Sequence, residues 1–176
     1  MLIQRTEYLN KLIAFKDKQV IKVVTGIRRC GKSTLLEIYQ QYLREHGVSE
    51  AQIIAINFED FDFAELRDGA KLHAYIKARL VPGKTTYVFL DEVHHVKDFE
   101  AVVDSLYIKK GVDLYITGSN AYMLSSEIAT LLSGRYVTVS MLPLSFKEFV
   151  QSTGDETDLA RKYRDYLTES SFPYTR

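Results

Sequence analysis

Short apolar runs alternate along the chain with stretches in which apolar residues recur every three or four positions. That alternation is the pattern of a parallel sheet covered by helices. Thr6 to Phe15 reads as a first helix, with Thr6 as N-cap and Leu9, Leu12 and Ile13 on one face. Val20 to Thr25 is the first strand, and a glycine-bearing turn leads from it into a helix from Ser33 to His46 that Gly47 ends. Ile53 to Asn57 is the second strand, followed by a polar and aromatic loop over Phe61 to Gly69. Leu72, Ile76 and Leu80 then stand at helical spacing until Pro82-Gly83 stops them. Thr86 to Leu90 is the third strand, and Asp98 is placed to cap a helix carrying Val102, Val103 and Leu106. The pattern continues with a strand at Asp113 to Thr117, a helix at Ser125 to Leu132 and a strand at Tyr136 to Ser140. Ser145 is placed to cap a short helix through Val150; Ser152 to Glu156 reads as a linker and Thr157 to Ser170 as a last helix.

A length of 176 residues supplies one domain with a full core. Apolar and charged fractions of 46% and 26% are those of an ordinary globular protein, which excludes disorder for most of the chain. Lys plus Arg and Asp plus Glu balance at 23 each, so bulk charge predicts no polyanion partner and leaves only local patches to be considered. The single cysteine, Cys30, excludes an intrachain disulfide. No apolar run reaches the roughly 18 residues of a membrane span, and the start lacks a signal-like apolar stretch. The expectation is a cytoplasmic protein without membrane contact.

Chemistry concentrates after the first strand. Gly26-Ile27-Arg28-Arg29-Cys30-Gly31-Lys32-Ser33 satisfies G-x-x-x-x-G-K-[ST] at every fixed position. Gly26 and Gly31 allow tight turns and close backbone approach, so that successive amides form an anion nest at a helix N-terminus. Lys32 would place its ammonium on the β- and γ-phosphates, and the Ser33 hydroxyl would ligate magnesium. The nucleotide cradle is expected to run from Gly26 through Ile27, Arg28, Arg29, Cys30, Gly31, Lys32 and Ser33 to Thr34. Cys30, near positive charge and a helix N-terminus, gains thiolate character on this reading, and alkylating it should block nucleotide binding.

The third strand ends in Leu90-Asp91-Glu92, which sends two carboxylates to the ligand-binding edge of the sheet. Asp91 is the expected magnesium ligand, through water, and Glu92 the base that polarises the attacking water. The pair favours hydrolysis over transfer to a small molecule. Asn120, after the fourth strand, can contact the γ-phosphate or orient the water; the other reading is a turn that ends a strand. Asn57 either restrains Glu92 or serves only its own turn. Arg135 is either an arginine finger reaching a neighbouring subunit's nucleotide or one half of an intradomain ion pair. Asp91-Glu92-Val93-His94 also reads as a D-E-x-H box, with His94 near the γ-phosphate or at the surface.

With these residues quoted, the chain resembles prokaryotic AAA-like ATPases of the AAA_14 type. The matching segments run from the phosphate loop through Asn57-Phe58-Glu59-Asp60, Phe89-Leu90-Asp91-Glu92-Val93 and Ile116-Thr117-Gly118-Ser119-Asn120. Leu132-Ser133-Gly134-Arg135-Tyr136 and Pro143-Leu144-Ser145-Phe146-Lys147-Glu148-Phe149 complete them. The resemblance implies an α/β P-loop NTPase fold with a five-stranded parallel sheet in the order 5-1-4-3-2. It also implies a nucleotide-sensing role for the segment around Asn120. His94 departs from it, standing where such proteins carry glutamine. Residues 1–150 are then the ATPase core, and 151–176 a linker and the start of a lid or C-terminal region that family members continue. Expected ligands are ATP/ADP and Mg2+. Expected partners are a C-terminal domain and a homo-oligomer in which Arg135 acts in trans. Turnover without the full lid should be slow. The competing functions are an ATP-dependent binding switch with negligible turnover and a DNA-associated motor.

Overall fold

The structure, a computed structural model, describes residues 3, 5–119, 134–153 and 157–168. Helix α1 (Thr6–Ala14) precedes β1 (Ile21–Gly26), which leads through the glycine loop into α2 (Lys32–Glu45). Then come β2 (Ile53–Asn57), α3 (Gly69–Lys77), β3 (Thr86–Asp91), α4 (Phe99–Tyr107) and β4 (Val112–Ser119). After residues 120–133 follow β5 (Tyr136–Met141), α5 (Phe146–Ser152) and α6 (Leu159–Thr168). The strands form one sheet in the order β2-β3-β4-β1-β5, and each pair is parallel. This is the expected order read from the other edge.

Strand period two decides which side chain faces which helical layer. Val23, Val88, Leu90, Leu114 and Ile116 point to the core shared with α3 and α4. Val24, Tyr87, Phe89, Tyr115 and Val139 point to the core shared with α1 and α2. On the second face the rings of Tyr39, Phe89 and Tyr115 meet at centroid distances of 4.8–6.1 Å, within the range in which aromatic pairs attract. Both faces are covered, so the central strands are buried on both sides and largely apolar, as parallel sheets require. Helix α6 lies on α5 through Tyr163 and Tyr166, which pack on the rings of Phe146 and Phe149. No described helix is long and apolar enough to cross a membrane.

Local expectations are corrected at several points. The N-cap of α1 is Arg5, in a left-handed conformation, while Thr6 is the first helical residue. Asp98 does stand at the N-cap of α4, but with φ of 56° and no side-chain cap bond, so its effect comes from backbone geometry. Phe61 to Arg67 is a 3-10 helix where a loop was expected; Asp60 accepts the Asp62 N–H, and the Arg67 guanidinium holds the Phe58 carbonyl at 2.6 Å. Ser145 caps α5 as expected, with Glu148 completing a reciprocal capping box. The helix expected at Ser125 to Leu132 lies outside the described residues.

Candidate active site

The sheet brings the phosphate loop and the acid pair to one edge. Strand β1 ends at Gly26 and β3 at Asp91, with β4 paired between them. At Gly26 a Cβ would stand 2.6 Å from the Cys30 sulfur and 2.7 Å from the Met141 carbonyl oxygen, so the tight turn has no room for a side chain. Arg29 and Gly31 both take positive φ, 68° and 96°. These reversals swing successive amides toward one concavity in front of α2. Arg28, Arg29, Gly31, Lys32, Ser33, Glu59 and Glu92 line a cleft of about 360 Å3 there. Ile27, Arg28 and Arg29 are exposed and Thr34 is half-buried.

Lys32 is buried on the floor of this cleft, with Nζ 3.2 Å from Glu92 Oε1. Asp91 is buried beside it. Its carboxylate accepts a hydrogen bond from the Thr117 hydroxyl, and the nearby Ser33 hydroxyl also favours its charged form. Burial raises the Asp91 carboxyl above its ordinary range; the two hydroxyls and Lys32 pull it back down in part. Glu92 has a left-handed backbone, φ 53°, and its N–H donates to Thr117 Oγ at 2.8 Å. Such a conformation in a non-glycine residue costs on the order of 1 kcal/mol or more and persists only where surroundings fix it. Here Thr117 fixes it, holding the side chain of one acid and the backbone of the next. On the far side of Glu92, His94 Nδ1 lies 3.3 Å from Oε2. Burial, reinforced by neighbouring His95, lowers the His94 imidazole below its ordinary value.

Thr117 and Glu59 belong to the site although neither was singled out from sequence. Thr117 stood in a segment quoted for Asn120, and only the pairing of β3 with β4 reveals its function. Glu59 reaches the rim, 3.5 Å from the exposed guanidinium of Arg28, a pairing worth little in solvent. Asn57 is the β2 partner of Asp91, so the strands are neighbours as its first reading requires. Its amide oxygen nevertheless accepts the Glu59 N–H at 2.9 Å, the turn role. Asn120 lies outside the described residues.

Cys30 requires a correction. Its thiol is fully buried in the core shared by α1 and α2. Burial pushes it above the ordinary value, outweighing the nearby Lys32 and Arg5. The inferred thiolate character is therefore absent. Iodoacetamide should label Cys30 in the native chain far more slowly than in urea-unfolded chain; equal rates by mass spectrometry would contradict the burial.

Arg135 sits at the opposite edge. Its carbonyl accepts the Ile21 N–H at the start of β1, a whole strand, roughly 15–20 Å, from the phosphate loop. The guanidinium pairs with Asp104 and lies 5.7 Å from the centre of the Tyr107 ring. The intradomain ion pair is thus present, and Arg135 is half-exposed.

A parallel sheet in this order, with a glycine loop entering α2 and an acid pair ending β3, defines a P-loop NTPase fold of AAA type. The family described as AAA domain, AAA_14, matches residues 18–150, and the chain belongs to it. An uncharacterized protein of Haemophilus influenzae is 39% identical over 176 residues, covering 98% of this chain and 44% of that protein. Another, from Methanocaldococcus jannaschii, is 32% identical over 98% of this chain and 40% of its own length. The chain thus spans less than half the length of these curated relatives. Among solved structures, AMPPCP-bound DnaA from Aquifex aeolicus is similar with a TM-score of 0.61. At 14% identity it covers 98% of this chain and 58% of that one, a likeness of fold.

Proposed function

We propose that this domain binds ATP with magnesium and hydrolyses it to ADP and phosphate, slowly in the absence of further chain or partner. The observation that carries this reading is the juxtaposition of Lys32 and Glu92 across one cleft that Ser33 also lines, with buried Asp91 beside them. A buried carboxylate and a hydroxyl are hard oxygen donors that suit magnesium, which takes few protein ligands and completes its shell with water and phosphate. Asp91 and Ser33 would hold the ion, whose bound charge would offset that of the phosphate oxygens. Lys32 would leave Glu92 for the β- and γ-phosphates. Glu92 would then take a proton from a water whose oxygen attacks the γ-phosphorus, as the bond to the bridging oxygen of ADP breaks. Thr117 would keep both acids oriented, and Asn120 would sense the γ-phosphate.

Arg135 lies too far from its own loop to serve it, which supports a role in trans on a second copy. That role requires it to leave Asp104. Residues 1–150 would be the ATPase core and 151–176 the start of a region that completes a lid. The second reading, an ATP-dependent switch with negligible turnover, draws on the engagement of Glu92 by both Lys32 and His94. Phosphate release and ATP binding test the proposal together. Magnesium-dependent release by the wild type is expected, with loss of ATP binding in Lys32→Ala. A folded wild type that binds no ATP would overturn both readings, while binding without release, even beside the longer relatives' C-terminal region, would favour the switch.

A further inference from the structure

The phosphate loop is held by more than the strand and helix it joins. Arg5, whose side chain is 4% exposed, reaches it from the start of α1. Its Nη1 donates to the Cys30 carbonyl at 3.4 Å and its Nη2 to the Leu142 carbonyl at 2.6 Å. Its Nε lies 2.9 Å from Glu148 Oε1, and the guanidinium sits 4.8 Å from the centre of the Tyr8 ring. One planar group therefore ties together the loop, the exit of β5 and helix α5. Glu148 uses its other oxygen for the Ser145 N–H and hydroxyl, the cap that starts α5. Tyr8 accepts the Leu142 N–H at 3.2 Å and closes the same joint. Arg5 itself takes φ of 46°, a strained backbone stationed where these contacts converge.

The Cys30 carbonyl is not a neutral anchor. It shares a rigid trans peptide with the Gly31 N–H, so the two point in opposite directions. Holding the oxygen toward Arg5 aims the Gly31 amide away from it, and Gly31 lines the cleft. An anion that attracts this amide would stiffen the peptide, tighten the long 3.4 Å bond and restrain the guanidinium. Through Glu148 that restraint reaches the first turn of α5. The coupling must run equally in both directions.

We infer that Arg5 is a positioning residue that orients the phosphate loop and transmits its occupancy to α5, a role that rests on the nucleotide reading above. A surface ion pair could not do this, because exposure would leave either end free to move. Lysine could not substitute, since an ammonium cannot present the planar fork that donates to two carbonyls while pairing with a carboxylate.

Amide exchange, thermal midpoint and affinity for a fluorescent ATP analogue test this on the full chain. In the wild type, saturating ATP should slow exchange over residues 142–152. Arg5→Ala should weaken affinity about tenfold, within the usual span of coupled sites, well below its thermal midpoint. It should also abolish the slowing at saturating ATP, and Arg5→Lys should restore neither. Glu148→Gln keeps the loop contact, so near-native affinity with reduced slowing at α5 is expected; it carries the test if the Arg5 variants do not fold. Without nucleotide, Arg5→Ala should speed exchange over residues 27–33, which examines the joint even if the nucleotide reading fails. Wild-type exchange in both segments and wild-type affinity in Arg5→Ala would overturn the inference.

Discussion

Glu92→Gln is expected to lower ATP turnover at least about 100-fold while ATP stays bound, the usual scale for removing a general base. The amide matches the carboxylate in shape, so the left-handed turn and its bond from the Glu92 N–H to Thr117 should survive. What is lost is basicity. A negative charge 3.2 Å from Lys32 is also lost, leaving the ammonium free for phosphate. Affinity should therefore hold or rise, and release of a fluorescent nucleotide should slow. Phosphate release and dissociation rates measured on the same preparation separate these effects. Undiminished turnover would assign the base elsewhere and make Glu92 only a partner of Lys32.

The chemistry was legible where it rests on consecutive residues. Gly26, Gly31, Lys32 and Ser33 announce a phosphate loop because turn, amide nest and helix start occupy one stretch of chain. Asp91 and Glu92 announce themselves because a buried strand that ends in acids has few other uses. Strand order followed from the family resemblance, and the structure agrees with it. Contacts between distant segments were not legible. Thr117 matters because β4 pairs with β3, and Arg5 because α1 returns to the loop and to Glu148. Cys30 was misread because local positive charge was weighed without knowing the burial that outweighs it. The 3-10 helix after β2 has no apolar period to reveal it; its anchors are the Asp60 cap and the carbonyl of Phe58.

The same blindness to burial hides the most consequential charge pair outside the cleft. Lys22 would pass for an alternating polar residue of a half-exposed strand, yet both it and Asp113 are almost wholly buried, paired across β1 and β4. Lys22 also donates to the Lys18 carbonyl at 2.7 Å. Asp113 Oδ2 accepts the Asp17 N–H at 2.8 Å and the Tyr115 hydroxyl at 3.0 Å. Asp113→Ala is expected to cost about 3–5 kcal/mol, because it leaves a buried ammonium without its counter-charge. Burial raises the Asp113 carboxyl and lowers the Lys22 ammonium, each only partly offset by the other. For the acid, stability falls as pH rises from the unfolded value of about 3.9 through the raised folded one; for the lysine, it falls as pH drops from about 10.4 through the lowered one. Near neutrality both shifts oppose folding, so the intact pair adds little net stability although breaking it is costly. Lys22→Met with Asp113→Leu should therefore lose less than Asp113→Ala alone, and by a margin that widens as pH falls from 9 to 5, because the lone Lys22 is protonated ever more favourably in the unfolded chain. Urea unfolding of wild type, Asp113→Ala and the double variant at pH 5, 7 and 9 decides it: a double variant that loses as much as Asp113→Ala, or Asp113→Ala within about 1 kcal/mol of wild type, would show that Lys22 does not depend on its counter-charge.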